Sequence, residues 1–285
     1  MLQNIVKLLR PKQATKNLIV FAGPAASGQF LKEDIFFKSS IVLIGFTLAA
    51  SGVYCMNDAL DADSDRNHPI KKHRPIAAGK ISKATGLITG LLLILCALLL
   101  TQSQSSESAF VVVLYVFLNI FYSLGLKRVG IIEMFIVASG FILRVVSGLV
   151  ITTGPRTPSF LSVVFFGSLM IVISKRISEK ISSEGSRAVL ASYDLNFLQV
   201  MVGIVASAFI VSYSSFVFGE IGLTWQSLDV FIAMSGIPIV YVTFEIIRLA
   251  LLGECGEPEL LLLKKAKFVC SAVLFSGLFG IYVYF

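Results

Sequence analysis

Between two hydrophobic segments, residues 57–79 read NDALDADSDRNHPIKKHRPIAAG, a run of four aspartates followed at once by cations. On an ideal helix, Asp61 and Asp65 lie at about 300° and about 340° from Asp58, whereas Asp63 lies near about 140°. Asp58, Asp61 and Asp65 are therefore predicted to share one face. Carboxylate clusters favour hard cations, and Mg²⁺ commonly bridges one or two carboxylates to substrate phosphates. The spacing predicts that these three aspartates are catalytic metal ligands, with Mg²⁺ as the cofactor.

The residues that flank the three aspartates can bind the anionic part of such a substrate. Asn57 offers a neutral oxygen ligand, and Arg66, Lys71 and Arg74 offer charge-assisted hydrogen bonds to phosphate oxygens. An acidic helix end followed by a basic loop predicts a site for a metal-bound polyphosphate. The alternative is a solvated loop whose cations only mark one side of a membrane.

The elements that must position these residues are membrane helices. Of the 285 residues, 56% are hydrophobic and only 14% are charged. Because a helix crosses the hydrocarbon core with about 20 apolar residues, the sequence predicts an all-α polytopic membrane protein with one domain, residues 1–285. The nine predicted spans are 15–30, 36–58, 83–101, 108–125, 130–152, 159–175, 194–219, 228–250 and 264–284. The first is the weakest, because Gly23, Pro24 and Gly28 interrupt it.

The placement of the 24 lysines and arginines predicts the orientation. With a cytoplasmic amino terminus, nearly all of them fall on the cytoplasmic side, and only Lys32, Lys38 and Arg156 lie opposite. We therefore expect a multi-pass protein of the inner or plasma membrane with its site facing the cytoplasm. The basic amino terminus lacks the cleavage pattern of a signal peptide, so none is expected. The net charge of +7 follows this topology and gives no reason to expect a nucleic-acid partner.

Charged and polar residues inside or beside the spans are further candidates, since charges in a membrane usually face a cavity or a partner. Glu133 and Arg144 lie within about 20° of the same face of the fifth span. They either face a polar cavity or form structural ion pairs with neighbouring helices. The candidates near helix ends are Lys16, Asn17, Tyr122, Lys127, Lys175, Arg176 and Glu179. Interfacial anchoring is the alternative for the first two, and solvation is the alternative for Lys175 and Arg176.

The spacing NDxxDxxxD of Asn57, Asp58, Asp61 and Asp65 resembles the first signature of the UbiA superfamily of intramembrane prenyltransferases. The resemblance covers nearly the whole chain and implies a nine-transmembrane-helix UbiA-like bundle around a cavity open to the lipid. It also suggests a homo-oligomer, a trimer. Other motifs resemble the decaprenyl-phosphate phosphoribosyltransferase branch. They are DRNHP (65–69) with Lys71, RPIAAG (74–79), RPKQ (10–13) with Lys16 and Asn17, YSLGLK (122–127), FILR (141–144), the pair Lys175 and Arg176 with Glu179, and GEPE (256–259).

One departure from the superfamily pattern supports this branch. Typical prenyl-diphosphate enzymes of the superfamily carry a second Asp-rich motif after the sixth span, whereas this chain reads SKRISEK from Ser174 to Lys180. Cations stand where a second metal cluster would be, which suits an extra phosphate on the donor. A second departure is Ala14, where the branch commonly has Trp, and we expect that change to affect packing more than chemistry.

The resemblance implies Mg²⁺-dependent transfer of 5-phosphoribose from 5-phosphoribosyl 1-diphosphate to a polyprenyl (decaprenyl) phosphate in the bilayer, with release of pyrophosphate. The product would feed arabinofuranosyl donors for cell-envelope polysaccharides. The expected contacts are Asp58, Asp61, Asp65, Asn57, Arg66, Lys71 and Arg74 to the metal and diphosphate, Lys127, Lys175 and Arg176 to the 5-phosphate, Tyr122 and Glu179 to the ribose or to those cations, and Lys16, Asn17 or Arg144 to the lipid phosphate. Two alternatives stay open: a prenyltransferase for an aromatic acceptor, and a transporter or binder of a phosphorylated lipid.

Overall fold

The computed structural model describes residues 2–153, 158–182, 188–220, 229–257, 261 and 265–284. All the regular secondary structure in these ranges is helical. The helices are α1 (Leu2–Leu9), α2 (Ala22–Ala26), α3 (Glu33–Leu60), α4 (Ala62–Arg66), α5 (Lys83–Gln102), α6 (Ser106–Leu124), α7 (Ile132–Leu149), α8 (Pro158–Ile181), α9 (Leu195–Ser215), α10 (Asp229–Met234), α11 (Gly236–Leu251) and α12 (Ala266–Tyr284). The 3₁₀ segments are Pro11–Phe21, Lys71–His73, Leu126–Arg128 and Ala188–Ser192, and a π-helical turn covers Phe216–Glu220.

Eight of the helical stretches in the described ranges are long and apolar enough to cross a membrane. They are α3, α5, α6, α7, α8, α9 with the π-helical turn up to Gly219, α10 together with α11, and α12. The predicted all-α polytopic membrane fold is thereby confirmed. The first predicted span, 15–30, differs, because it forms part of the 3₁₀ segment and the five-residue α2. Gly28 follows α2 with a φ of 67°, a left-handed conformation that ends the helix.

Polar side chains account for the start of three helices. Ser82, Ser105 and Asp194 precede α5, α6 and α9, and each side-chain oxygen accepts a hydrogen bond from the backbone N–H three residues later, at 3.0, 3.3 and 3.1 Å. Such N-caps satisfy backbone donors that have no partner inside the helix. The caps therefore fix where the apolar stretches begin.

The chain divides into two compact units. Unit 1 comprises Met1–Leu126 and Leu143–Gly154, and unit 2 comprises Lys127–Ile142 and Pro155–Phe285. In unit 2, α8 packs against α9 and α11, and α11 also packs against α12. Its buried core includes Met134, Ile173 and Leu198. The prediction of one domain stays a prediction.

In unit 1, α3 packs against α5 and α6. The backbones of α3 and α5 come close at Gly52 and Gly90, where a Cβ on either glycine would lie within 2.8 Å of the other's carbonyl oxygen. Glycines allow membrane helices to approach this closely. The same device acts at Gly148 of α7, where a Cβ would overlap the carbonyl oxygen of Val20 in the 3₁₀ segment. These contacts fix the helix that carries Asp58 and the segment that carries Asn17.

Candidate functional site

The acidic motif lies where α3 passes into α4. Although α3 ends at Leu60, the helical hydrogen bonds continue, from the Asp61 N–H to the Asn57 carbonyl and from the Asp65 N–H to the Asp61 carbonyl, both at 2.9 Å. Asp58 and Asp65 are buried, with only 2% and 3% of their surface exposed, and Asp61 is half-buried. Burial of two carboxylates at a membrane helix end requires compensating cations.

Two arginines supply that compensation. Asp58 Oδ1 accepts hydrogen bonds from Arg10 Nη2 at 2.5 Å and from Arg74 Nη1 at 3.1 Å. The same Nη1 of Arg74 also donates to Asp65 Oδ2 at 2.7 Å. Two carboxylates therefore bracket one cationic nitrogen. The guanidinium of Arg10 also lies 4.8 Å from the ring centroid of Tyr54, within the range of a cation–π contact.

The motif RPIAAG explains why Arg74 reaches these carboxylates. Pro75 begins a single helical turn, in which the Ala78 N–H donates to the Arg74 carbonyl at 2.8 Å. Gly79 ends the turn with a φ of 71°, and its N–H donates to the Ile76 carbonyl at 3.0 Å. Proline at the start and glycine at the end suit their own φ preferences. The Ile76 side chain is buried in the apolar cluster beside α3, so the turn is anchored next to the aspartates.

Arg66, which is predicted to bind phosphate oxygens, is the last residue of α4. It is exposed and pairs with Asp63 at 3.2 Å, and Asp63 also pairs with Lys83 at 2.6 Å. The hydrogen bond and charge of Lys83 lower the pKa of Asp63. In the basic loop, the backbone N–H groups of Ile70 and Lys71 donate to His68 Nδ1 at 3.2 and 3.3 Å. Partial burial and the charge of Lys71 lower the pKa of His68, which favours this accepting, neutral imidazole.

A second polar cluster in unit 1 surrounds Arg144. Its Nε donates to Asn17 Oδ1 at 2.7 Å, and its Nη2 donates to the Tyr115 hydroxyl at 3.0 Å. The guanidinium also lies 5.4 Å from the ring centroid of Phe46 and 4.8 Å from that of Tyr115. Asn17 in turn donates to Thr47 Oγ1 at 3.1 Å. Two predicted residues, Asn17 and Arg144, thus belong to one buried polar cluster whose guanidinium could bind an anion.

Unit 2 contains a buried ion cluster. Arg176 Nε and Nη2 donate to the two carboxylate oxygens of Glu133 at 2.6 and 2.8 Å, and Nη1 donates to Glu179 at 2.9 Å. Glu133 is fully buried and Arg176 is 3% exposed. Nearby, the Ile131 N–H donates to the Tyr193 hydroxyl at 2.8 Å. Burial raises the pKa of Tyr193, so its hydroxyl keeps its proton at neutral pH.

Two non-glycine residues have positive φ in the part of the chain that the structure describes, and both adjoin these clusters. Arg10 has a φ of 51° and precedes Pro11, and Ile131 has a φ of 66° two residues before Glu133. Such conformations cost about 1–3 kcal/mol each and concentrate at functional sites. Left-handed backbone is particularly unfavourable for a β-branched residue such as isoleucine.

The predicted site residues are distributed over both units. Those in unit 1 are Lys16, Asn17, Asn57, Asp58, Asp61, Asp65, Arg66, Lys71, Arg74, Tyr122 and Arg144, and those in unit 2 are Lys127, Lys175, Arg176 and Glu179. Asn57 Oδ1 accepts from Ser123 at 2.5 Å. Nine of the predicted residues are half-buried: Lys16, Asn57, Asp61, Lys71, Arg74, Tyr122, Lys127, Lys175 and Glu179. Residues 258 and 259 of the GEPE motif lie outside the described residues.

Four residues of these clusters were not among the predicted site residues: Arg10, Tyr115, Glu133 and Tyr193. Arg10 belongs to the RPKQ motif and Glu133 was recognised as an embedded charge, so both carried a signal. Tyr115 and Tyr193 carried none, because nothing in their local sequence distinguishes them from packing tyrosines.

Among residues 2–153, 158–182, 188–220, 229–257, 261 and 265–284, no three His, Cys, Asp or Glu side chains form a group that could hold a metal ion alone. Asp58 and Asp65 nevertheless fit Mg²⁺, since both are buried carboxylates whose charge is balanced by arginines in this structure. Mg²⁺ needs only one or two carboxylates when phosphates and water complete its shell. The metal-ligand assignment stays a prediction.

Residues 19–180 match the family model described as the UbiA prenyltransferase family. The chain is 32% identical to the decaprenyl-phosphate phosphoribosyltransferase of Mycolicibacterium smegmatis, over 100% of this chain and 94% of that relative. It is 34% identical to the enzyme of the same name from Mycobacterium tuberculosis, over 90% and 86% of the two chains. Among solved structures, a UbiA homolog from Archaeoglobus fulgidus bound to GPP and Mg²⁺ gives a TM-score of 0.72 at 15% identity, covering 98% of this chain and 99% of the other.

Proposed function

The chain belongs to the UbiA prenyltransferase family, and we propose that it transfers 5-phosphoribose from 5-phosphoribosyl 1-diphosphate to a polyprenyl phosphate, releasing pyrophosphate. The similarity to decaprenyl-phosphate phosphoribosyltransferases over nearly the whole chain supports this reaction. The observation that carries it is the pair of buried carboxylates, Asp58 and Asp65, bracketing a cationic nitrogen beside a basic loop. That pair suits a metal-bound diphosphate.

We assign the diphosphate end of the donor to the acidic motif and the basic turn that follows it. Asp58 and Asp65, with Asp61 and Asn57, would hold Mg²⁺, and Arg74 and Lys71 would bind pyrophosphate oxygens. When bound there, Mg²⁺ supplies positive charge that neutralises the leaving pyrophosphate. Helix α3 and the RPIAAG turn preorganise the carboxylates that would hold the metal and the guanidinium of Arg74 that would stabilise the charge on the leaving pyrophosphate. Arg66 contacts the exposed side of the motif and contributes through long-range attraction of the anionic donor.

The family resemblance suggests Lys127 and Lys175 as candidate ligands of the 5-phosphate, and Tyr122 and Glu179 as candidate ligands of the ribose. Arg176 already donates to Glu133 and Glu179, so it is better suited to orient Glu179 than to bind phosphate directly. The catalytic effect of all these residues is positioning and charge stabilisation. The acceptor phosphate is already anionic at neutral pH, and it needs no general base.

The acceptor is a lipid phosphate whose tail lies in the bilayer, and Arg144 and Asn17 with Lys16 are its candidate ligands. Arg144 is a buried guanidinium held by a neutral amide and a phenol hydroxyl. A phosphate oxygen could replace either neutral partner, because charge-assisted hydrogen bonds are stronger than neutral ones. The reaction is proposed to occur on the cytoplasmic face of the plasma membrane, in a trimer, as a step toward arabinofuranosyl donors for cell-envelope polysaccharides.

The test is a transfer assay with purified protein in detergent. Ribose-labelled 5-phosphoribosyl 1-diphosphate, decaprenyl phosphate and Mg²⁺ are incubated together, and label is counted in the organic phase with and without EDTA. We expect label transfer that EDTA abolishes. No transfer, in a sample that instead attaches a prenyl group to an aromatic acid, would overturn the proposal. Ligand uptake into liposomes without transfer would indicate a transporter.

The acceptor assignment predicts a selective effect of Arg144→Lys. Lysine keeps the charge but loses the fork that donates to both Asn17 and Tyr115. We expect the KM for decaprenyl phosphate to rise at least about tenfold, equivalent to about 1.4 kcal/mol, while the KM for 5-phosphoribosyl 1-diphosphate changes less than about twofold. Steady-state kinetics with each substrate varied in turn measures both. An equal change in both KM values would contradict the assignment.

A further inference from the structure

We propose that Arg10 competes with the divalent cation for Asp58, and that the metal and the donor diphosphate bind cooperatively because they displace Arg10 together. This inference rests on the proposed role of Asp58 as a metal ligand. In this proposal Arg10 is a positioning residue, which pairs with the Asp58 carboxylate until the metal and the diphosphate bind.

The first support is the charge balance around Asp58. Two carboxylates, Asp58 and Asp65, face two guanidiniums, Arg10 and Arg74, so the four side chains are neutral as a group. Asp58 Oδ1 accepts from both guanidiniums. A divalent cation on the same carboxylate would place three positive centres on one negative charge. One arginine must therefore leave Asp58 before the cation binds tightly.

The second support distinguishes the two arginines. Arg74 also donates to Asp65 and is fixed by the turn that Gly79 ends. Arg10 has one carboxylate partner, Asp58, among the ion pairs of the described residues, although its side chain is no more exposed than that of Arg74, at 27% for both. It also belongs to a separate segment, 48 residues from Asp58. Arg10 is therefore the arginine that can leave.

The third support is the backbone of Arg10. Its φ of 51° and ψ of 58° are left-handed, and the next residue is Pro11, which disfavours compact conformations of the residue before it. The contact with Asp58 helps to hold this unfavourable conformation. Release from Asp58 lets the backbone relax, which lowers the free energy of the displaced state. A diphosphate bound beside the metal would give the released guanidinium a new anionic partner.

The experiment measures Mn²⁺ affinity by the disappearance of the free-ion EPR signal, in purified full-length protein, with and without inorganic pyrophosphate. Arg10→Gln should bind Mn²⁺ at least about fivefold more tightly than the unmodified protein without pyrophosphate, a typical coupling between two sites. Pyrophosphate should raise Mn²⁺ affinity in the unmodified protein and raise it less in Arg10→Gln. Lys83→Gln is the matched control, because it removes a cation from Asp63 in the same region without touching Asp58.

The outcomes separate this inference from the proposed function. If Asp58→Asn weakens Mn²⁺ binding but Arg10→Gln leaves it unchanged or weaker, competition by Arg10 is wrong and the metal role of Asp58 stands. If Lys83→Gln tightens Mn²⁺ binding as much as Arg10→Gln, the effect is general electrostatics and the inference is wrong. If Arg10→Gln does not fold, Arg10→Met takes its place, since methionine keeps an unbranched side chain but carries no charge. No tightening of Mn²⁺ binding in Arg10→Met would then overturn the inference.

Discussion

Replacing Asp58 by Asn lowers the rate of phosphoribosyl transfer at saturating Mg²⁺ by at least about a hundredfold. The amide keeps the size of the side chain but removes the charge that Mg²⁺ requires, and the loss of one preorganised group at a site of developing charge costs about 10²–10³ in rate. Label transfer to decaprenyl phosphate measures the effect. Arg74 can keep its ion pair with Asp65 in this variant, so we expect the RPIAAG turn to keep its position.

Asp63→Asn is the matched control for Asp58→Asn. Asp63 belongs to the same acidic run, but it is exposed and pairs with Lys83 and Arg66. We expect its transfer rate to stay within about threefold of the unmodified protein, because exposed ion pairs contribute about 0–1 kcal/mol. Equal losses in the two variants would show that only the overall negative charge of the loop matters. If Asp58→Asn still transferred phosphoribose at half the normal rate, Asp58 would not be a catalytic metal ligand.

The membrane helices could be predicted from the sequence, because the length of an apolar stretch is a local property of the chain. Each of the eight long helices coincides with a predicted span, and Ser82, Ser105 and Asp194 mark three of their starts. The first predicted span contained enough apolar residues for a helix. Its Gly23, Pro24 and Gly28 led instead to a 3₁₀ segment and the short α2, so backbone preference outweighed hydrophobicity there.

The acidic motif was also predictable in part, because its residues are close in sequence. Its partner Arg10 was not, because it comes from a segment 48 residues from Asp58. The partner of Glu133 was missed for the same reason, since Arg176 is 43 residues away. Helical periodicity placed Glu133 and Arg144 on one face, yet each has its own partners. Glu133 forms the structural ion pair that was one of the two alternatives, whereas Arg144 binds Asn17 and Tyr115. The spacing of residues within a helix predicts the face on which a side chain lies, but it does not identify the residue that the side chain contacts.

The buried pair in unit 2 predicts the largest change in stability. Glu133→Gln leaves the guanidinium of Arg176 buried without the carboxylate that accepts two of its hydrogen bonds. Breaking a buried ion pair from one side costs about 3–5 kcal/mol, and the contact with Glu179 keeps the expected loss near about 3 kcal/mol. The free energy of unfolding, measured by reversible SDS titration, tests this value. Glu254→Gln removes an exposed partner of Lys265 and should cost less than about 1 kcal/mol.

The double variant Glu133→Leu with Arg176→Met separates stability from function. Because apolar residues of similar size often replace a buried ion pair without loss, we expect it to recover at least half of the stability that Glu133→Gln loses. If Arg176 orients Glu179 for the ribose, the stable double variant should still transfer phosphoribose at least about tenfold more slowly, with most of the change in the KM for the donor. A double variant that is stable and fully active would instead show that the ion cluster of Glu133, Arg176 and Glu179 has only a structural role.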